Sequence, residues 1–96
     1  MTLWFQDSEV TAAWEAYTRA AGETRAALTR VQATWEARKA AWELFRDSRH
    51  PGFLHALAAD DAAFAAYVEL SKESHALCME WSDLSKKAHS KWEARQ

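Results

Sequence analysis

His75 and Cys78 stand three apart, a spacing that puts both on one face of a helix, where two ligands of a metal ion can sit. A structural zinc takes four such ligands, and no second His/Cys pair is spaced to complete the set. Nor do Glu69, Glu73 and His75 form the Glu-x-x-His unit of di-iron bundles. The expectation is a small buried thiol and an ordinary histidine. Asp60-Asp61 is a carboxylate pair, but capping a helix accounts for it without invoking acid–base work. His50 and His55 flank a turn and read as solvated; His89 is placed to pair with Glu93 four residues on. Arg38 interrupts an apolar row and needs a partner if buried. With Asp60 and Asp61 one turn away in the expected pairing, it reads as a salt bridge or as an arginine snorkelling to the edge, with contact to an anion as the sharper alternative. No Gly-rich phosphate loop, no catalytic Ser/His/Asp order and no His-Glu-x-x-His occur. The sequence therefore predicts no catalytic, cofactor or metal site, and no enzyme.

The elements that carry these residues are helical. Two Gly and one Pro among 96 residues are too few for the turns of a sheet protein. Ala, Glu, Arg, Lys and Leu, all strong helix formers, dominate the chain. Asp7 or Ser8 can cap a first helix, with Glu9 in its first turn. Nothing but Gly22 then interrupts the pattern until His50-Pro51-Gly52. A second helix runs from Phe53, or from Asp60-Asp61 after a separate turn over 53–59, to about residue 94. The expected architecture is all-α: one domain over 1–96, an antiparallel two-helix coiled-coil hairpin with helices over about 8–49 and 53/60–94. Each helix would be roughly 60 Å long. A chain this short buries little surface, so a lone hairpin is marginal. Self-association or a partner is expected to complete a bundle.

Spacing defines the seam. Val10, Trp14, Tyr17, Ala21, Thr24, Leu28, Val31, Trp35, Arg38, Trp42 and Phe45 alternate by four and three, a heptad pattern over five repeats. On the second helix Phe64, Tyr67, Leu70, Ser71, Ser74, Leu77, Cys78, Trp81, Leu84, Ser85, Ala88 and Trp92 share a broad face. Folding about Pro51 sets residue i near roughly residue 102 minus i, so that large side chains meet small ones. Beside the tryptophan column of that seam, Trp14, Ala21, Leu28, Trp35 and Trp42, runs a second row, Ala13, Ala20, Ala27, Thr34 and Ala41, also seven apart. Small side chains there would let another helix approach closely, so Ala13, Ala20, Ala27 and Ala41 are candidate partner-binding positions. Trp4 and Phe5 precede the helix, where they either staple the open end of the hairpin or anchor a partner.

Charge narrows the function classes. Twelve basic and 14 acidic residues give a net charge of −2 without a Lys/Arg cluster, so neither nucleic-acid binding nor mimicry of nucleic acid is expected. Glu69, Lys72, Glu73, Asp83, Lys86 and Lys87 alternate in sign and read as a solvated face. No apolar run is long enough to span a bilayer. One cysteine and an N-terminus without a basic n-region suggest a cytoplasmic protein, with signal-less secretion as the other route.

In size and outline the chain resembles the WXG100 family of secreted helical hairpins and, equally, type III needle subunits. The first family carries Trp-x-Gly in its turn, where this chain has His50-Pro51-Gly52. Its export signal, a Tyr four residues before an acidic residue, has no counterpart near Trp92. The resemblance implies only a hairpin of the same architecture, with secretion as one alternative function. The residues themselves point to a small non-enzymatic protein–protein interaction module: an adaptor, a structural subunit or an inhibitor of the phage type, working with a protein partner or as a homodimer. A further alternative is an oligomeric bundle that holds a small anionic ligand between protomers through Arg38, His75 or Arg25.

Overall fold

The computed structural model describes residues 3–96. It contains a short 3₁₀ turn, Trp4–Gln6, and two long helices, α1 (Ser8–Phe45) and α2 (Pro51–Ala94), packed on each other as a helical hairpin. There is no strand among the described residues. The 3₁₀ turn closes on itself: Gln6 N–H donates to the Leu3 carbonyl at 2.9 Å, and the Gln6 side-chain carbonyl accepts from Leu3 N–H at 3.1 Å. Asp7 caps α1 by accepting the Glu9 N–H at 2.9 Å, which satisfies an otherwise orphaned donor of the first turn.

The turn falls earlier than the Pro-Gly signal suggests. Helix α1 ends at Phe45, not near Arg49, and Arg46 takes a left-handed φ of 50°. Asp47 then folds the chain back. Its carboxylate accepts from Arg49 N–H at 2.9 Å and its carbonyl from His50 N–H at 3.1 Å. Pro51 does not break a helix here; it starts one. Its missing N–H costs nothing at a first helical position, and its fixed φ suits the entry. His50 is the cap, its Nδ1 accepting the Gly52 N–H at 2.9 Å, and its ring stacks on Phe45 at 3.7 Å. A Cβ on Gly52 would lie 2.5 Å from the Phe45 ring, so any other residue there would have to push that ring aside. Helix α2 is continuous from Pro51, and residues 53–59 form no separate turn.

Contacts divide the chain into two compact units. The terminal unit joins the residues up to Gly22 with Ser71–Gln96; the central unit is Glu23–Leu70. In the terminal unit the inward row of α1 is Val10, Ala13, Tyr17 and Ala20, and that of α2 is Ser74, Leu77, Trp81, Leu84 and Ala88. In the central unit the rows are Thr24, Ala27, Val31, Thr34, Arg38, Ala41 and Phe45 against Phe53, Ala56, Asp60, Ala63, Tyr67 and Leu70. Every one of these residues is buried or half-buried, and the spacing alternates three and four throughout.

This geometry corrects the expected seam in one column and in its pairing. Val10, Tyr17, Thr24, Val31, Arg38 and Phe45 lie in it as expected. The other α1 column is the alanine row, not the tryptophan row. Both choices make a heptad with the first column, and hydrophobicity alone favours the larger side chains. Close approach of two helices favours the smaller: Ala20 and Ala63 are buried, and the indoles lie along the edge. In pairing, Thr24 meets Leu70, Thr34 meets Asp60 and Trp42 meets Phe53, so residue i sits near residue 95 minus i. That is one heptad from the pairing a fold about Pro51 gives. A shift of seven maps seam onto seam, so the apolar pattern cannot choose between the two; the shorter α1 and Asp60 do. Asp60 is 7% exposed, and here it accepts from the Thr34 hydroxyl at 2.9 Å and from Arg38 at 3.2 Å. One heptad away it would face Ala41 and Phe45 and be a buried charge without a partner.

Candidate interaction surface

The side chains displaced from the seam build the most prominent surface of the central unit. Leu28, Trp35 and Trp42 project from α1 at intervals of seven and are 39%, 46% and 40% exposed. Phe64 of α2, 56% exposed, joins them on the same flank. An open groove of about 470 Å³ runs between Trp35 and Phe64, floored by Val31 and edged by Arg38, Asp60 and Asp61. A second, of about 370 Å³, lies between Trp35 and Trp42 and reaches Phe53. The Arg38 guanidinium lies 5.2 Å from the centre of the Trp35 ring while it pairs with Asp60. That contact fixes the indole from one side and leaves its outer face bare.

Arg38 is thus held by the Asp60 carboxylate, itself supported by the Thr34 hydroxyl, and by the Trp35 face. The salt-bridge reading is the one the geometry realises, and an anion approaching Arg38 would have to compete with Asp60. Asp61, next to that pair, is exposed on the groove edge and caps no helix start.

Trp4 and Phe5 belong to the terminal unit. Trp4 is half-buried and edge-on to His89 at 5.3 Å, and His89 in turn lies 3.5 Å from Glu93 as its spacing predicts. Phe5 stands edge-on to Trp4 at 5.6 Å and is half exposed. Together with Val10, Thr11, Trp14 and Trp81 they line an open groove of about 380 Å³. Trp4 therefore fastens the leader turn to α2, and Phe5 is the more open of the two. Behind them Trp81 packs on Trp14 at 4.8 Å and stacks on Tyr17 at 6.4 Å.

The alanines singled out by the sequence do not form a leftover face. Ala20 is buried, and Ala13, Ala27 and Ala41 are half-buried on the side of α1 that meets α2, with Thr34 among them. They face α2, and Ala13 also lines an open groove with Ala12, Ala16 and Leu84. Residues that sequence reasoning assigned to the core instead, Phe64, Trp35, Trp14, Trp42 and Leu28, are the accessible ones. His75 and Arg25 are exposed and Cys78 is half-buried. Among the described residues no group of three or more His, Cys, Asp or Glu side chains could hold a metal ion, and no helix is long and apolar enough to cross a membrane. The chain matches no protein-family model, no curated protein and no solved structure.

Proposed function

We propose that this chain is a non-enzymatic interaction module that works by laying the aromatic flank of its central unit against another protein surface. The observation that carries this reading is the exposure of Leu28, Trp35, Trp42 and Phe64 along one flank. Four large apolar side chains between 39% and 56% exposed, grouped beside two grooves, favour an interface over scattered surface residues. Tryptophan and phenylalanine supply much contact area for few rotatable bonds, which suits them to anchor a partner. Arg38, the residue best placed to hold an anionic ligand, is occupied by Asp60, which weighs against the ligand-binding bundle.

Photocrosslinking tests the proposal. A benzoylphenylalanine placed at Trp42 or Phe64 should give protein adducts in the native host, whereas one at Ala37, exposed off this flank, should not. Absence of adducts from both flank positions, or equal yield at Ala37, contradicts it.

A further inference from the structure

We infer that the hairpin has two seats one heptad apart, and that the Asp60 carboxylate is the catch that holds the observed one. The inference concerns the central unit. It stands apart from the interaction reading, although it changes the surface which that reading uses. Three observations carry it.

The first is the seam. Its rows over residues 24–45 and 53–70 repeat by three and four throughout, so a slip of seven sets seam positions on seam positions again. Ala27, Thr34 and Ala41 on α1 and Ala56 and Ala63 on α2 are small, and a row of small side chains holds neither seat by shape.

The second is the turn. Helix α1 stops at Phe45 although Arg46-Asp47-Ser48-Arg49 contains no Gly or Pro to break it. The chain leaves the helix through Arg46, a non-glycine residue at φ 50°, where an L side chain is crowded. Local preference would carry α1 on to Arg49 and leave His50-Pro51-Gly52 as the turn, a length that helix hairpins use. Residue i would then sit near residue 102 minus i. The slip loses the His50 cap and its stack on Phe45, and α1 gains four residues. The observed turn is therefore wound against its own sequence, and a tertiary contact must hold it.

The third is that contact. Asp60, 7% exposed, accepts from the Thr34 hydroxyl at 2.9 Å and from Arg38 at 3.2 Å, and these bonds exist in one seat only. The catch also edges the open groove between Trp35 and Phe64. In the observed seat Phe64 lies level with residue 31, between Leu28 and Trp35; after a slip it lies level with residue 38, between Trp35 and Trp42. The aromatic flank thus has two forms, and a group that draws Arg38 or Asp60 into the groove selects the second.

Dipolar distance measurement between spin labels tests this. Arg30→Cys and Leu54→Cys, both at exposed positions, are labelled in the full chain with Cys78→Ser and diluted with unlabelled protein, so that distances within one chain are read. Arg30 sits level with residue 65 in the observed seat and with residue 72 in the other, so its axial separation from Leu54 grows by about 10 Å. With Asp60 intact the short distance alone is expected. Asp60→Leu should add a population up to about 10 Å longer while circular dichroism shows the helices kept. Adding Arg46→Gly, which relaxes the left-handed residue, should return that population to the short distance. Where Asp60→Leu loses its helices, the nearly isosteric Asp60→Asn decides, with the same long population expected. The short distance alone in the folded Asp60 variants overturns the inference. So does a long population that Arg46→Gly leaves unchanged, or one already present with Asp60 intact.

Discussion

The two units of this molecule share one heptad pattern and similar aromatic content, yet treat their aromatic side chains differently. In the terminal unit the rings pack against one another, although Trp14 keeps 45% and Phe5 53% of its surface exposed. Trp81 is packed by Trp14 and Tyr17, and a third piece of chain, the leader turn, brings Trp4 onto His89. In the central unit α1 and α2 have no third layer. Trp35 is faced by Arg38, Phe64 stands 6.5 Å from Tyr67, and the outer surfaces of both rings are bare. The seam differs as well: it is apolar around Trp81, whereas in the central unit it holds the Asp60–Arg38–Thr34 group. Two helices cannot bury large rings by themselves, because the space between them accepts only the small side chains. Rings at the edge must be covered by something else. The terminal unit supplies part of that cover from its own chain, and the central unit is the part that asks for a partner.

The largest expected effect that bears on this contrast is at Trp81. Trp81→Ala removes a half-buried ring packed against two others and should cost about 3 kcal/mol, read as a shifted urea midpoint. The same change at Trp35 in dilute protein should cost about 1 kcal/mol or less, since that ring is nearly half exposed in the single chain. Equal losses at the two positions would erase the distinction. Next comes Asp60→Ala, which removes the carboxylate partner of Arg38 and one of the two acceptors of the Thr34 hydroxyl, the Val31 carbonyl remaining, and should cost about 2 kcal/mol. A loss below about 0.5 kcal/mol would mean that the buried carboxylate does not hold the register. The smallest effect is at the leader: Trp4→Ala should cost about 1 kcal/mol and raise amide exchange in residues 3–11, leaving the central unit unchanged.

Much of the hairpin was legible in the sequence. The scarcity of turn residues, a cap at Asp7 or Ser8, the column from Val10 to Phe45 and the need of Arg38 for a partner or an edge position all follow from residue type and spacing; that the partner is Asp60 does not. The errors have a common source. Ala13 and Trp14, or Ala27 and Leu28, are neighbours that fit the same heptad, and hydrophobicity votes for the larger. Helix separation, which no periodicity encodes, votes for the smaller. The register failed for a related reason: an apolar repeat of seven is blind to a shift of seven. Asp60 held the missing signal, since in the shifted pairing it would face Ala41. Pro51 was read as a stop although a proline opens helices more readily than it ends them. The accessible flank is not legible in the sequence because its residues carry the pattern of a core.

The account depends on which of two adjacent columns of α1 faces α2, and thiol alkylation measures this directly. Ala27→Cys and Leu28→Cys, each made with Cys78→Ser and assayed at low micromolar concentration, place a thiol in one column or the other. The alanine-seam geometry predicts that the thiol at 28 reacts several times faster than the thiol at 27. A thiol at 27 that reacts as fast as or faster than the one at 28 would put the tryptophan column back in the seam and contradict the account.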